Sequence, residues 1–135
     1  MTKRELSKYY YLKLEIKNLE EKIQEVNEGI IGSRELTGMP HGTGKSNPVE
    51  KKVIILTKLK NRLETRIMDA MNEKLKIEEY ISGIDDVQTR IIFSKRYIEL
   101  KRWETIAKEM YMSERSVFRK HQNYLKENKN DRKIN

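Results

Sequence analysis

The chain has 135 residues, of which 37% are charged and only 36% are hydrophobic, and its net charge is +8. Six glycines and two prolines are too few for the many turns of an all-β or alternating α/β fold, so the composition indicates an all-α protein. Cysteine is absent, which excludes disulfides and thiolate metal sites. No apolar run approaches the roughly 20 residues of a membrane helix, and we therefore expect a cytoplasmic protein without a membrane partner.

The first predicted element is an amphipathic helix over about residues 3–28. Its apolar residues recur at alternating steps of three and four, which places them on one face of a helix. They are Tyr9, Leu12, Ile16, Leu19, Ile23 and Val26. Gly29 follows and suits the left-handed conformation that ends many helices. Five of the six glycines and both prolines lie in residues 29–48, which predicts a loop.

A second long helix is predicted over about residues 49–82, after Pro48. Its apolar positions keep the same stepping, with Lys60 and Lys74 interrupting the stripe. They are Val49, Val53, Leu56, Leu63, Ile67, Ala70, Ile77 and Ile81. The two helices are expected to pair as a long antiparallel hairpin, residues 1–83. Because the second helix overhangs the first, the hairpin leaves apolar surface for a second copy, and we expect a homodimer.

The predicted loop contains a sequence that resembles a phosphate-binding loop, residues 42–46. That motif requires a glycine where this chain has Met39, and it follows a strand rather than a helix. We therefore expect a simple connection or a basic contact loop. The two histidines, His41 and His121, have no second ligand at metal-binding spacing. No carboxylate pair or nucleophile–base set stands out, so we expect neither an enzyme nor a cofactor.

The C-terminal half begins at the break Ser82-Gly83, after which Asp85 or Asp86 is expected to cap a helix. This helix is predicted to be apolar on two sides, which indicates that it packs between neighbours. One side consists of Ile84, Val87, Ile91 and Ile98, and the other of Phe93, Tyr97 and Leu100.

Residues 103–122 have the pattern of a helix-turn-helix. A short helix from Trp103 to Met110 contains the small residue that a close helix crossing requires, Ala107. Ser113 is expected to cap the next helix, which is predicted to run to about Lys126. Apolar residues flank the turn, as the motif requires; they are Ile106, Met110, Met112 and Val117. Tyr111 occupies a turn position where glycine is common. We predict a DNA-binding domain over residues 84–127 and a flexible tail over 128–135.

This half of the chain resembles region four of bacterial sigma factors and the LuxR-type helix-turn-helix. The resemblance rests on residues 90–92 and 97–98, on Trp103-Glu104 with Ile106-Ala107, and on Met112-Ser113 with Val117. In layout, including Gly38-Met39-Pro40, the chain is similar to the ArpU/RinA-like late transcription regulators of phages of Gram-positive bacteria. The resemblance implies a long helical hairpin followed by a three-helix, sigma-region-four-like domain that binds DNA and controls transcription.

The charge distribution agrees with this interpretation, since residues 84–135 hold 13 Lys/Arg against 8 Asp/Glu. The helix that begins at Ser113 is expected to enter the major groove of double-stranded DNA. Side chains expected to read bases are Arg115, Ser116, Phe118, Arg119 and Gln122. Side chains expected to contact phosphates are Lys101, Arg102, Lys108, Ser113, Lys120 and Lys126.

The predicted function is that of a sequence-specific, phage-encoded transcription regulator. Two alternatives stay open. One is a DNA-packaging subunit that resembles a small terminase and assembles into a ring. The other is an adaptor that binds RNA polymerase and makes little DNA contact of its own.

Overall fold

The computed structural model describes residues 1–29 and 47–134, with side chains to residue 129. Most of the described residues are helical and none forms a strand, which confirms the predicted all-α class. The helices are α1 (Lys3–Asn27), α2 (Pro48–Ser82), α3 (Val87–Phe93), α4 (Trp103–Glu109) and α5 (Glu114–Ile134), and a π-helical turn, Ser94–Ile98, continues α3. The phosphate-loop-like residues 42–46, His41 and the Gly38-Met39-Pro40 motif lie outside the described residues.

Local signals set the ends of these helices where the sequence predicts them. Gly29 follows α1 with φ 80°, the left-handed conformation expected of it. Asn47 caps α2, since its Oδ1 accepts from the Val49 N–H at 3.0 Å, and Pro48 is the first helical residue. Asp86 caps α3 by accepting from the Thr89 N–H at 3.0 Å. The end of α5 is the exception, because the helix continues past the predicted end near Lys126.

One compact unit of the structure comprises residues 12–70. Here α1 and α2 run in opposite directions, because the Lys52 ammonium donates to the Asn27 carbonyl at 3.1 Å whereas Arg66 pairs with Glu15 at 2.7 Å. Their shared core is Leu19, Val26 and Leu59, with Ile23, Ile55, Leu56 and Leu63 packed against it. The apolar face predicted for α1 is thus the face that packs.

The predicted apolar face of α2 is partly wrong. Val49, Val53 and Ile67 are exposed, whereas Leu59, which the predicted stripe omits, is buried. Other positions of the predicted stripe are covered, since Leu56 and Leu63 pack against the shared core beside Leu59. Beside this core, Arg66 is half-buried and its guanidinium pairs with Glu15 at 2.7 Å.

The second compact unit comprises residues 1–11 and 71–135. Phe93 of α3 lies at its centre, fully buried, with aromatic contacts to Tyr80, Tyr97, His121 and Tyr124. A second cluster joins α3, α4 and α5 through Ile92, Ile106, Ala107 and Val117, with Trp103, Met110 and Met112 packed against it. The core positions predicted around the turn are therefore confirmed. The predicted domains 1–83 and 84–127 and the predicted flexible tail 128–135 stay predictions.

The two faces predicted for residues 84–100 need one correction. Phe93 and Tyr97 are buried as expected, but Val87 and Ile91 are exposed. The π-helical turn explains why Ile98 does not continue the face of Ile91. Its Glu99 N–H donates to the Ser94 carbonyl five residues back, and the extra residue rotates everything that follows around the helix axis.

A tight C-terminal cap connects α4 to α5. The Met112 N–H donates to the Ala107 carbonyl at 3.0 Å and the Tyr111 N–H to the Lys108 carbonyl at 3.3 Å, the two bonds of a Schellman motif. Tyr111 occupies its left-handed position with φ 53°. The ring of Tyr111 is 97% exposed and therefore contributes little packing to offset the backbone strain.

Tyr111→Gly is expected to stabilise the protein by about 0.5–1 kcal/mol. Removal of Cβ relieves a strain of about 1–2 kcal/mol, of which the greater flexibility of glycine in the unfolded chain cancels a part. Chemical denaturation measures this change. The matched control is Tyr11→Gly at an exposed position inside α1, where the same substitution should destabilise by about 1 kcal/mol. Destabilisation at both positions would contradict the assignment of strain to Tyr111.

None of the helices in residues 1–29 and 47–134 combines the length and apolarity that crossing a membrane requires.

Candidate nucleic-acid interface

The start of α5 is fixed by a side-chain cap. The Ser113 Oγ accepts from the Ser116 N–H at 3.1 Å and lies 2.8 Å from the Ser116 hydroxyl. This confirms Ser113 as the predicted N-cap. Because Ser113 and Ser116 bond to each other, each hydroxyl has less free hydrogen-bonding capacity for DNA than the sequence alone implies.

Two opposite faces divide the first turns of α5. Val117 and His121 are fully buried and Leu125 is 8% exposed, so the helix is held firmly along this side. Arg115 and Arg119 are exposed, one turn apart. Within residues 1–29 and 47–129, no carboxylate forms an ion pair with either guanidinium. Both arginines are therefore available for an anionic partner, on a helix whose orientation is set by the buried side.

Phe118 and Gln122, the other predicted base-reading residues, lie at the edges of this exposed face. Phe118 is 39% exposed and its ring meets Trp103 edge-on, with 5.4 Å between the centroids. It therefore belongs partly to the core of the unit, and only part of the side chain is exposed. Gln122 is half-buried and lines a cavity beside Met1 and Arg4.

The predicted phosphate-contacting cations differ in how free they are. Arg102 and Lys126 are exposed. Lys108 pairs with Glu104 at 3.5 Å, and Lys120 pairs with Asp86 at 3.5 Å. These surface pairs are weak and leave the ammonium groups accessible.

Lys101 differs from the other predicted phosphate contacts because two carboxylates hold it. Its ammonium lies 2.6 Å from Glu109 and 3.5 Å from Glu99, and Glu109 also pairs with Lys95 at 2.8 Å. The hydrogen bond with Glu109 raises the pKa of Lys101, and the same bond, with a second from Lys95, lowers the pKa of Glu109. This network connects the segment before α4 with the end of α4. Because two carboxylates offset the charge of Lys101, its ammonium group is poorly suited to contact a phosphate.

Arg96 is a cation in this region that the sequence did not single out. Its guanidinium lies 4.6 Å from the centre of the Trp103 ring and donates to the Lys101 carbonyl at 3.0 Å. The stacking and the hydrogen bond together restrict the rotation of the Arg96 side chain. The guanidinium has five N–H donors, so donors remain for a further partner. In the sequence, only the spacing of Arg96 and Trp103 could have indicated this contact. The π-helical turn contains Arg96 and changes which side chains a given spacing brings together.

His121 is buried within the aromatic cluster behind α5. Its Nε2 lies 2.5 Å from the Tyr97 hydroxyl, and its Nδ1 has no hydrogen-bond partner among the described residues. Burial lowers the pKa of His121 to about 4, with smaller contributions from the charges of Lys3 and Arg96. Burial also raises the pKa of Tyr97 to about 12, so the phenol stays protonated and suits a neutral imidazole partner. His121 is therefore a neutral residue of the core.

Metal-binding clusters are not found in the described part of the chain, where no three His, Asp or Glu side chains gather at a common point.

Comparison of the chain with curated proteins and with solved structures finds no match. A protein-family model matches residues 31–129, which span α2, α3, α4 and most of α5. On this match, the chain belongs to the family described as a protein of unknown function, DUF1492.

Proposed function

We propose that this protein is a sequence-specific DNA-binding regulator of transcription. In this proposal α1 and α2 form an antiparallel hairpin, and α3, α4 and α5 form a helix-turn-helix domain similar to region four of sigma factors. The observation that carries it is the pair Arg115 and Arg119, exposed on the first turns of a helix whose opposite side is buried. The N-terminal residues of such a recognition helix contact base edges in the major groove.

The side chains on α5 and on the segments before it suit this role chemically. A guanidinium that faces a guanine edge donates two parallel hydrogen bonds, to O6 and N7, and discriminates against other bases by about 1–3 kcal/mol. Arg102, Lys108, Lys120 and Lys126 would contact phosphates and set the register of the helix without reading sequence. The partner is double-stranded DNA, and the role in phage gene control follows from the ArpU/RinA-like resemblance.

Selection of bound duplexes from random DNA tests the proposal with the full chain. We expect an enriched motif and an affinity that falls steeply with salt, because phosphate contacts release counterions. If the protein binds as a homodimer, the motif should consist of two half-sites separated by about one helical turn. Absence of any enriched sequence would contradict the proposal, whereas a ring of many subunits in sedimentation would favour the DNA-packaging alternative.

Arg119→Ala should weaken binding to the selected duplex by about 5-fold to 150-fold, the equivalent of about 1–3 kcal/mol. Fluorescence anisotropy of labelled DNA measures the loss. The control is Arg62→Ala, which removes the same charge from an exposed position on α2 and should change the affinity far less. Equal effects of the two substitutions would mean that only net charge matters and that α5 does not read sequence.

A further inference from the structure

A cleft separate from the exposed face of α5 lies between the first turns of α1 and the segment that connects α3 to α4. Its volume is about 460 Å³, within the range of small-ligand sites. The lining residues are Lys3, Ser7, Tyr10, Tyr11, Arg96, Tyr97, Leu100 and Arg102. Three of these side chains are cations, three are tyrosines, and none of the described lining residues is acidic. All belong to the same compact unit.

The cations of this cleft are not neutralised by the protein. Within residues 1–29 and 47–129, no carboxylate forms an ion pair with Lys3, Arg96 or Arg102. The charges of Lys3 and Arg96 also reach the buried ring of His121, where they add to the effect of burial in lowering its pKa. A concentration of positive charge without carboxylates attracts an anion, and three donors of this kind suit the oxygens of a phosphate.

One of these cations is already held in position. Arg96 stacks on Trp103 at 4.6 Å and donates to the Lys101 carbonyl, as described above. Because the guanidinium is fixed before any ligand arrives, binding an anion sacrifices less side-chain entropy than a free arginine would lose. The remaining donors of Arg96 are free to bond to an oxyanion.

The tyrosines provide a second kind of surface. Tyr10 is 44% exposed and Tyr11 is 64% exposed, and their rings meet edge-on with 5.3 Å between centroids. Aromatic rings exposed on a helix beside a basic cleft offer faces on which a planar base can stack. Phosphate donors and stacking faces at one site match the two chemically distinct halves of a nucleotide.

We propose that this cleft binds a nucleotide, with Lys3, Arg96 and Arg102 holding the phosphate and Tyr10 and Tyr11 contacting the base. The ligand is either a free nucleotide or a nucleotide of an unpaired DNA strand, since both present the same phosphate and base. The site is distinct from Arg115 and Arg119 on α5 and shares only Arg102 with the phosphate contacts proposed for duplex DNA. Loss of binding by Tyr11→Ala, a residue with no proposed duplex contact, therefore distinguishes this site from duplex recognition.

Titration of the full chain with three probes tests this assignment. The probes are ATP, inorganic triphosphate and a 12-nucleotide oligothymidylate, monitored by calorimetry and by the emission of Trp103, the single tryptophan of the chain. Trp103 reports on the site because the guanidinium of Arg96 lies over its ring. Binding of ATP with a change in Trp103 emission identifies a free nucleotide as ligand, and binding of the oligonucleotide without ATP identifies a strand. The proposal is overturned if neither ATP nor the oligonucleotide binds, or if ATP binds no more tightly than triphosphate does.

Two substitutions at exposed positions examine the two halves of the site. Arg102→Gln should weaken binding of whichever nucleotide probe is bound by about tenfold or more, since it removes a charged phosphate donor. Tyr11→Ala should weaken it by about fivefold or more and leave the affinity for triphosphate unchanged. Arg62→Gln, which removes a charge from an exposed position on α2, should have little effect. Circular dichroism verifies that each variant is folded, and undiminished binding by both folded site variants would overturn the assignment.

Discussion

Phe93→Ala is expected to lower the free energy of unfolding by about 3–5 kcal/mol. The Phe93 ring is fully buried and contacts the rings of Tyr80, Tyr97, His121 and Tyr124, so its removal leaves a cavity that these large rings fill poorly. Denaturant titration measures the change. Trp103 emission follows the second compact unit, and far-ultraviolet circular dichroism follows all of the helices.

The control for this prediction is Phe118→Ala. Phe118 borders the same group of rings through Trp103, but it is 39% exposed, and its truncation should destabilise by only about 1–2 kcal/mol. Equal losses for the two variants would mean that Phe93 does not occupy the centre of the core. Because α5 packs on Phe93 through His121 and Tyr124, we also expect Phe93→Ala to weaken the proposed binding of DNA.

Acidification is expected to destabilise the protein through His121, by about 3 kcal/mol in total. The pKa of His121 is about 4 in the folded protein, below its ordinary value of 6.5, because the ring is buried away from water. A lowered folded pKa means that the unfolded chain binds the proton first. The contribution of neutral His121 is therefore complete above pH 6.5, falls as the pH drops toward 4, and changes no further below that. Each pH unit in this window corresponds to about 1.4 kcal/mol.

The double variant Tyr97→Phe with His121→Leu isolates this effect. It removes both partners of the buried hydrogen bond together, so no new unpaired polar group is left, and its stability at pH 7 should stay close to that of the parent. Denaturant titrations between pH 4 and pH 8 should show that the loss between pH 6.5 and 4 is missing from the variant. Asp86 and Glu109, whose folded pKa values are also lowered, lose their stabilising charge at lower pH in both proteins. Parallel curves for parent and variant across this window would refute the role of His121.

The sequence by itself determined the features that depend on neighbouring residues. Helix type and most helix boundaries follow from apolar spacing and from capping groups such as Asn47, Asp86 and Ser113, which bond to backbone only two or three residues away. The exposed positions of Arg115 and Arg119 on α5 also follow from local periodicity. These are interactions within one turn of the chain, so a short stretch of sequence contains all of the partners.

Only the tertiary structure decided which of several equivalent local arrangements is used. α2 carries apolar residues on more than one side, and the contact with α1 buries Leu59 and leaves Val53 exposed. The π-helical turn shifts the faces after Ser94, which places Tyr97 against His121 and Arg96 over Trp103. The cleft between α1 and the α3–α4 segment joins side chains that lie about 90 residues apart, Lys3 and Arg96. Burial and charge at such sites depend on which surfaces meet in space, and spacing along the chain does not contain that information.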